Sequence, residues 1–191
     1  HAQASGGKKV ARFVIGTSTA GWAENDVDYL CDGVDDQEEI NNAIAALPAG
    51  GGEVVILDGT YNITAKIDVN KDNVSIRGSG NATILKRMWN SSSDEGVIYL
   101  ASVEGCRIEN LQIDGNNTTY TAGNNPGIRL DSSNNNTITG NTCNNNEGNS
   151  IRLYSSSDNA ITDNTCNNNN SSIYLSTSSN NIITSNTCNN N

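Results

Sequence analysis

Gly127-Ile-Arg-Leu130 followed by Asn136-Thr-Ile-Thr-Gly-Asn-Thr-Cys143 returns as Ser150-Ile-Arg-Leu153 with Asn159-Ala-Ile-Thr-Asp-Asn-Thr-Cys166. It returns once more as Ser172-Ile-Tyr-Leu175 with Asn181-Ile-Ile-Thr-Ser-Asn-Thr-Cys188. Ile128 to Ile151 is a step of about 23 residues and Ile151 to Ile173 about 22, within the range of stacked repeats. Ile138, Ile161 and Ile183 follow the same step, as do Cys143, Cys166 and Cys188. A unit this short cannot enclose its own apolar face, so it stacks on copies of itself.

Within each repeat, apolar and polar residues alternate, as in Ile128-Arg129-Leu130 and Ile151-Arg152-Leu153, which is the period of a short strand. Runs of Ser, Asn and Asp between them, Asp131 to Asn136 and Ser155 to Asn159, supply turns. Short strands at a fixed period imply a coil of parallel strands with like residues stacked roughly 4.8 Å apart. Ile128/Ile151/Ile173, Leu130/Leu153/Leu175, Ile138/Ile161/Ile183 and Cys143/Cys166/Cys188 become inward ladders. Asn141/Asn164/Asn186 becomes a ladder of bonded amides at a turn.

A chain of 191 residues with 35% hydrophobic content is long enough for one domain with a core. The net charge of −10, with no basic patch beyond Lys8, Lys9 and Arg12, argues against a nucleic-acid partner. No apolar run approaches membrane-spanning length. The small residues Ala2-Gln3-Ala4 resemble the end of an export signal. Asn62, Asn81, Asn117 and Asn170 head glycosylation triplets. These features point to an extracellular or cell-surface location.

Ahead of the repeats, Val10 to Ile15 reads as a strand and Asp35 or Asp36 as the cap of a helix with Glu38 and Glu39 in its first turn. Ile40, Ala43, Ile44 and Leu47 share one helical face, and Pro48 with Gly50-Gly51-Gly52 stops the helix. On solvated first-turn positions, Glu38 and Glu39 stabilise the helix and are not catalytic. Residues 1–51 therefore read as tail, strand and helix, and 52–191 as the coil. Further strands are expected at Glu53–Leu57, Tyr61–Ile63, Ala65–Val69, Asn73–Arg77, Thr83–Met88, Val97–Leu100 and Arg107–Ile113. Ile108 falls in the Ile138 ladder and Ile113 in the Cys143 ladder; residues 116–125 form a protruding loop.

The chain carries 5 cysteines. Cys143, Cys166 and Cys188 are expected in the core, where a free thiol behaves as a small hydrophobe. Cys31 and Cys106 lie outside the ladder and either stay unbonded in the core or bond each other or another subunit. No Cys-x-x-Cys is present and the single histidine is His1, so no metal site or cofactor is expected.

Cys31-Asp-Gly-Val-Asp-Asp-Gln-Glu-Glu-Ile-Asn-Asn-Ala-Ile44, Gly50-Gly-Gly-Glu-Val-Val-Ile-Leu-Asp-Gly-Thr-Tyr61 and Val74-Ser-Ile-Arg-Gly78 resemble the start of pectate-lyase-like right-handed parallel β-helix proteins. The later repeats are similar to those of periplasmic copper-binding, NosD-like β-helix proteins. The resemblance implies a single-stranded right-handed parallel β-helix whose helix covers the N-terminal mouth. It also implies either a carbohydrate-acting enzyme or copper, but Met88 and His1 are the lone methionine and histidine.

Lyases of this superfamily would need an Arg or Lys base, and hydrolases paired Asp on one strand stack. Arg129 and Arg152 share an outward column with Tyr174 next, a position for a cation–π contact from Arg152, and Asp131 lies two residues from Arg129. No Asp pair falls on a coil strand, so catalytic residues are not assigned. Arg129, Arg152, Tyr174 and Trp89 are candidates for glycan contact, with Tyr99 and Tyr120 as further stacking residues. Residues 172–191 form a regular repeat without an atypical cap. The expectation is a non-catalytic structural protein that associates with itself, head-to-tail or laterally, into a fibre, sheath or appendage through Ile173, Tyr174, Leu175, Ile183 and Cys188. A polysaccharide lyase or hydrolase, or a glycan-binding tailspike or adhesin module, is the alternative.

Overall fold

The computed structural model describes residues 11–91 and 93–191; His1, Ala2 to Ala4, Lys8 and Lys9 lie outside them. β1 (Arg12–Thr17), β2 (Tyr29–Cys31), helix α1 (Gln37–Ala46) and β3 (Gly52–Ile56) open the chain. β4 (Gly59–Ile63), β5 (Ile67–Val69), β6 (Val74–Arg87), β7 (Ile98–Ala101) and β8 (Arg107–Asp114) follow. The regular repeats then supply β9 (Ile128–Asp131), β10 (Thr137–Thr139) and β11 (Thr142–Asn144). After them come β12 (Asn149–Tyr154), β13 (Ala160–Thr162), β14 (Thr165–Asn167), β15 (Ser171–Ser176), β16 (Ile182–Thr184) and β17 (Thr187–Asn189).

These strands wind into a right-handed parallel β-helix with three faces. One face runs β1, β3, the first part of β6, the first part of β8, β10, β13 and β16. A second runs β4, the end of β6, the end of β8, β11, β14 and β17. The third runs β5, β7, β9, β12 and β15. Ile108, Ile138, Ile161 and Ile183 are in register, as are Ile113, Cys143, Cys166 and Cys188, and Ile98, Ile128, Ile151 and Ile173. The degenerate copy at Arg107–Asp114 thus stacks where the repeat spacing places it.

Two features differ from the sequence reading. Asn73–Arg77 and Thr83–Met88 are one strand, β6, which turns a corner through register shifts between Arg77 and Ile84. β1 already lies in register on β3, Val14 beside Val55, so parallel stacking begins at Arg12.

The abundance of Asn and Ser has a structural cause. Corners of successive rungs take left-handed backbone, in one column at Asn110, Gly140, Asp163 and Ser185 and in another at Asn116, Asn145, Asn168 and Asn190. Short polar side chains and glycine tolerate that region best. Amides line the inside of the corners in three ladders, 136/159/181, 141/164/186 and 146/169/191, whose first two members are buried and whose last, on the final rung, is half-buried or exposed. The side-chain oxygen of each later member (Asn159 and Asn181, Asn164 and Asn186, Asn169 and Asn191) accepts the backbone N–H of its counterpart one rung earlier, at 2.8–3.0 Å. Its amide nitrogen in turn donates to a carbonyl of an earlier rung, as Asn164 Nδ2 does to Ile138 O at 2.9 Å.

α1 closes the first rungs by imitating a strand. Gln37 accepts Thr64 N–H at 2.9 Å, while Asn41 accepts Asp68 N–H at 2.9 Å and donates to Lys66 O at 3.2 Å. The free edge of β5 is thereby satisfied by side-chain amides, which removes a template for unwanted pairing. Ile40, Ala43, Ile44 and Leu47 are buried on the coil side. Lys71 Nζ caps the far end of the helix through the carbonyls of Ile44, Ala45 and Leu47 at 2.6–3.2 Å. Asp36 makes no side-chain cap bond; its carboxylate accepts Gly33 N–H and Asn62 N–H instead, and Glu38 N–H reaches the Asp35 carbonyl.

All cysteines are free. Cys31 donates to Asp36 O and Cys106 to Lys71 O, in separate parts of the core, so of the alternatives left open by the sequence these two take the unbonded one, each thiol turned toward a local carbonyl. Cys143 and Cys166 are buried, whereas Cys188 is exposed because no rung lies beyond it among the described residues. Ile183 is likewise 43% exposed where Ile161, one rung earlier, is fully covered. No helix among the described residues is long and apolar enough to cross a membrane.

Candidate functional site

On the third face, outward positions are in register from rung to rung: Asp68, Tyr99, Arg129, Arg152 and Tyr174. Period-two alternation puts them outside because Ile67, Ile98, Ile128, Ile151 and their partners two residues on face the core. Each of these side chains stands roughly 4.8 Å from the next.

The segment between β6 and β7 folds over this column and carries Asp94. Arg129 Nη1 donates to the backbone oxygens of Asp94 at 2.8 Å and Ser93 at 3.4 Å, and Arg129 Nη2 donates to Asp131 Oδ2 at 2.8 Å. Arg152 Nη1 donates to the Asp94 carboxylate. The two guanidinium groups, whose repulsion would otherwise splay them apart, are bridged by one aspartate. Both arginine side chains are largely covered, 13% and 15% exposed.

Aromatic rings flank the pair. The Arg129 guanidinium lies 5.5 Å from the Tyr99 ring centre and that of Arg152 5.6 Å from Tyr174, the contact the column spacing implied. Lys66 Nζ covers Tyr99 at 4.5 Å and stands near Asp68 and Glu95. Tyr99 O–H donates to Asp131. Burial first and the Asp131 carboxylate second push the Tyr99 phenol up from its ordinary value, with Arg129 opposing, so the hydroxyl keeps its proton.

Chemically, the strip presents Arg152 Nη2, which bonds no other group among the described residues, while Nε is buried without a partner. Beside it are the half-exposed Tyr174 face and the carboxylates of Asp94 and Asp131. Arg129 has no comparable freedom, with both of its terminal nitrogens bonded. A guanidinium edge, an aromatic face and acceptor oxygens are the groups that hold a sugar ring or its carboxylate.

Other candidates lie elsewhere. Trp89 is half-buried, packed against the core with the Arg87 guanidinium 3.9 Å from its ring, and is not part of the outward column. Tyr120 sits in the 115–127 loop. Asn62 donates its amide to Gly33 O and Asn117 to Asn168 O, while Asn81 and Asn170 are exposed. Asp94 was invisible in the sequence: nothing in a Ser-rich stretch indicates a contact with a residue 58 positions away.

A second cluster forms around α1, where ligand atoms of Cys31, Asp36 and Glu39 lie within 4.8 Å of one another. Burial pushes all three groups up, and for Cys31 the adjacent carboxylates add to it. The sequence reading assigned no metal to these residues because their spacing is not that of a metal motif; the first turn of the helix is what brings them together.

Solved structures share the fold. The A-module of mannuronan C-5 epimerase AlgE4 from Azotobacter vinelandii is 23% identical with TM-score 0.64, covering 90% of this chain and 51% of that one. ORF18 of Geobacillus virus E2 is 20% identical with TM-score 0.62, covering 88% and 41%. A putative glycosyl hydrolase from Parabacteroides merdae is 17% identical with TM-score 0.65, covering 93% and 95%. The chain thus spans about half or less of the first two. No curated protein matches it. The family model described as periplasmic copper-binding protein (NosD) matches residues 16–191, α1 and all of the coil after the first part of β1, and on that match the chain belongs to the NosD family.

Proposed function

We propose that this β-helix acts outside the cytoplasm as a polysaccharide-binding protein, holding an extended glycan along the Tyr99–Arg129–Arg152–Tyr174 column. The observation that supports it is the bridging of Arg129 and Arg152 by Asp94, which leaves Arg152 Nη2 preorganised beside Tyr174. Binding is favoured over turnover because the groups a reaction would need are tied down. Arg129 is bonded on both terminal nitrogens, and Asp94 and Asp131 each accept from a guanidinium, an arrangement for holding position and not for handing over a proton. Titration calorimetry against neutral and carboxylate-bearing polysaccharides tests it. The expected result is binding to at least one polymer that is lost in both Arg152→Ala and Tyr174→Ala; binding unchanged in both variants would sink it.

The family description names copper. Copper(I) is held by thiolate and thioether ligands and copper(II) by imidazole. Among the described residues there is no histidine, and Met88 lies half-buried against Asn116. The Cys31 thiol is kept protonated, while both Asp36 oxygens already accept backbone N–H groups. These residues do not fit a copper centre.

A second reading, self-association, is favoured by the exposed edge at Ile173, Tyr174, Leu175, Ile183 and Cys188. Ile182 is 61% and Ile183 43% exposed there, and β15–β17 each pair on one side. A further rung from this chain or from a second copy would cover them equally well. Sedimentation of the chain over a range of concentrations tests it: assembly abolished by Ile183→Asp supports it, and a monomer throughout removes it.

A further inference from the structure

Arg87 occupies an inward position of β6, two residues after Leu85 and in register with Ile63, both buried and aliphatic. It is fully buried and has no carboxylate partner among the described residues. Its Nε and Nη1 are buried without a hydrogen bond, and burial pulls the guanidinium down to about 9. A buried cation with two nitrogens unbonded opposes folding despite the Trp89 ring 3.9 Å away, and an apolar side chain of similar length would serve the core better. Nη2 explains its presence: it donates to Glu95 O at 3.0 Å and to Pro126 O at 2.8 Å. These carbonyls belong to the two segments that leave the coil, 88–97 and 115–127.

Those segments are knitted together at the same place. Ser91 N–H reaches Asn125 Oδ1, Ala122 N–H reaches Asn90 Oδ1, and Val97 N–H shares the Pro126 carbonyl with Arg87. Glu95 directly follows Asp94, which Arg129 and Arg152 hold from the outer surface. The 88–97 segment is therefore gripped from inside the coil by one guanidinium and from outside by two.

We propose that Arg87 is a positioning residue: by holding the Glu95 carbonyl it sets Asp94 against Arg129 and Arg152, at the expense of the stability of the coil. Its consequence for ligand binding rests on the polysaccharide reading above; the placement of the segment does not. The test compares wild type, Arg87→Met and Arg87→Lys by thermal unfolding, hydrogen exchange and calorimetry with the polysaccharide that wild type binds. Arg87→Met is expected to unfold at the same temperature or higher. Its Ser93, Glu95 and Val97 amides should exchange about tenfold faster while β9 and β12 are unchanged, the loss of roughly one buried hydrogen bond. Polysaccharide affinity should fall by about the same factor, with Arg87→Lys in between. Failure of Arg87→Met to fold, a lower midpoint with exchange raised throughout, or unchanged exchange in 93–97 would each overturn the proposal. If wild type binds no polysaccharide, the binding reading fails by itself and the exchange data still decide the role of Arg87.

Discussion

Asn164 accepts the backbone N–H of Asn141 through Oδ1 at 3.0 Å and donates through Nδ2 to the Ile138 carbonyl at 2.9 Å. One side chain thus satisfies backbone groups on two sides of a buried corner where no strand pairing reaches. Asn164→Ala leaves both groups unpaired in the interior, with a loss of about 2–4 kcal/mol expected from urea unfolding. The same change at Asn186, half-buried on the last rung, is expected to cost less than half as much, since water reaches the groups it exposes.

Lys71 is the tether of the cap. Its ammonium meets three carbonyls at the end of α1, a position where the helix dipole also favours positive charge. Lys71→Met keeps the aliphatic stem and removes the charge, for an expected loss of about 1–2 kcal/mol. Hydrogen exchange should rise first in α1 and β5, not in the distant β12–β17. Uniform exchange would refute the tether.

Glu39 sets a pH dependence. Burial raises its pKa, with backbone bonding opposing and Asp36 and Asp32 adding to the rise. Its contribution to stability is present while the carboxyl is protonated, below the ordinary value of 4.5, and is lost as pH climbs through the raised folded-state value. Glu39→Gln is therefore expected to melt above wild type at neutral pH and to match it at pH 3. A constant gap at both pH values would show that the charge is not the cause.

The thiols should divide by burial. Cys188 is exposed, whereas burial raises Cys31, Cys106, Cys143 and Cys166, the last to about 11. A maleimide reagent at neutral pH is expected to label Cys188 within the dead time and the remaining four only upon unfolding. Because a folded-state value near 11 exceeds the ordinary 9, stability should also decline as pH rises across that interval. Rapid labelling of two or more thiols in the native protein would contradict the packed interior.

Much of the coil could be read from Ile138, Ile161 and Ile183 and from the weaker match at Ile108, because stacking demands like side chains at each step. The column of Arg129, Arg152 and Tyr174 followed from the same spacing. Asp94 and Lys66 did not, because they reach the column from irregular segments without a period. Arg87 was equally hidden: alternation marks it as inward, but its partners are backbone carbonyls, which leave no trace in residue identities. Whether Cys31 and Cys106 bond each other stayed open in the sequence because counting thiols says nothing about which direction each one faces.

The amino-acid order alone determined that this chain coils, with what step, and which residues line the interior, since an apolar face too small to close must repeat in order to be buried. Tertiary structure decided how the coil is sealed by Gln37, Asn41 and Lys71, and how a single aspartate on an irregular segment bridges two repelling arginines. Those features depend on side chains meeting across long stretches of sequence, and proximity of that kind arises only once the rungs have stacked.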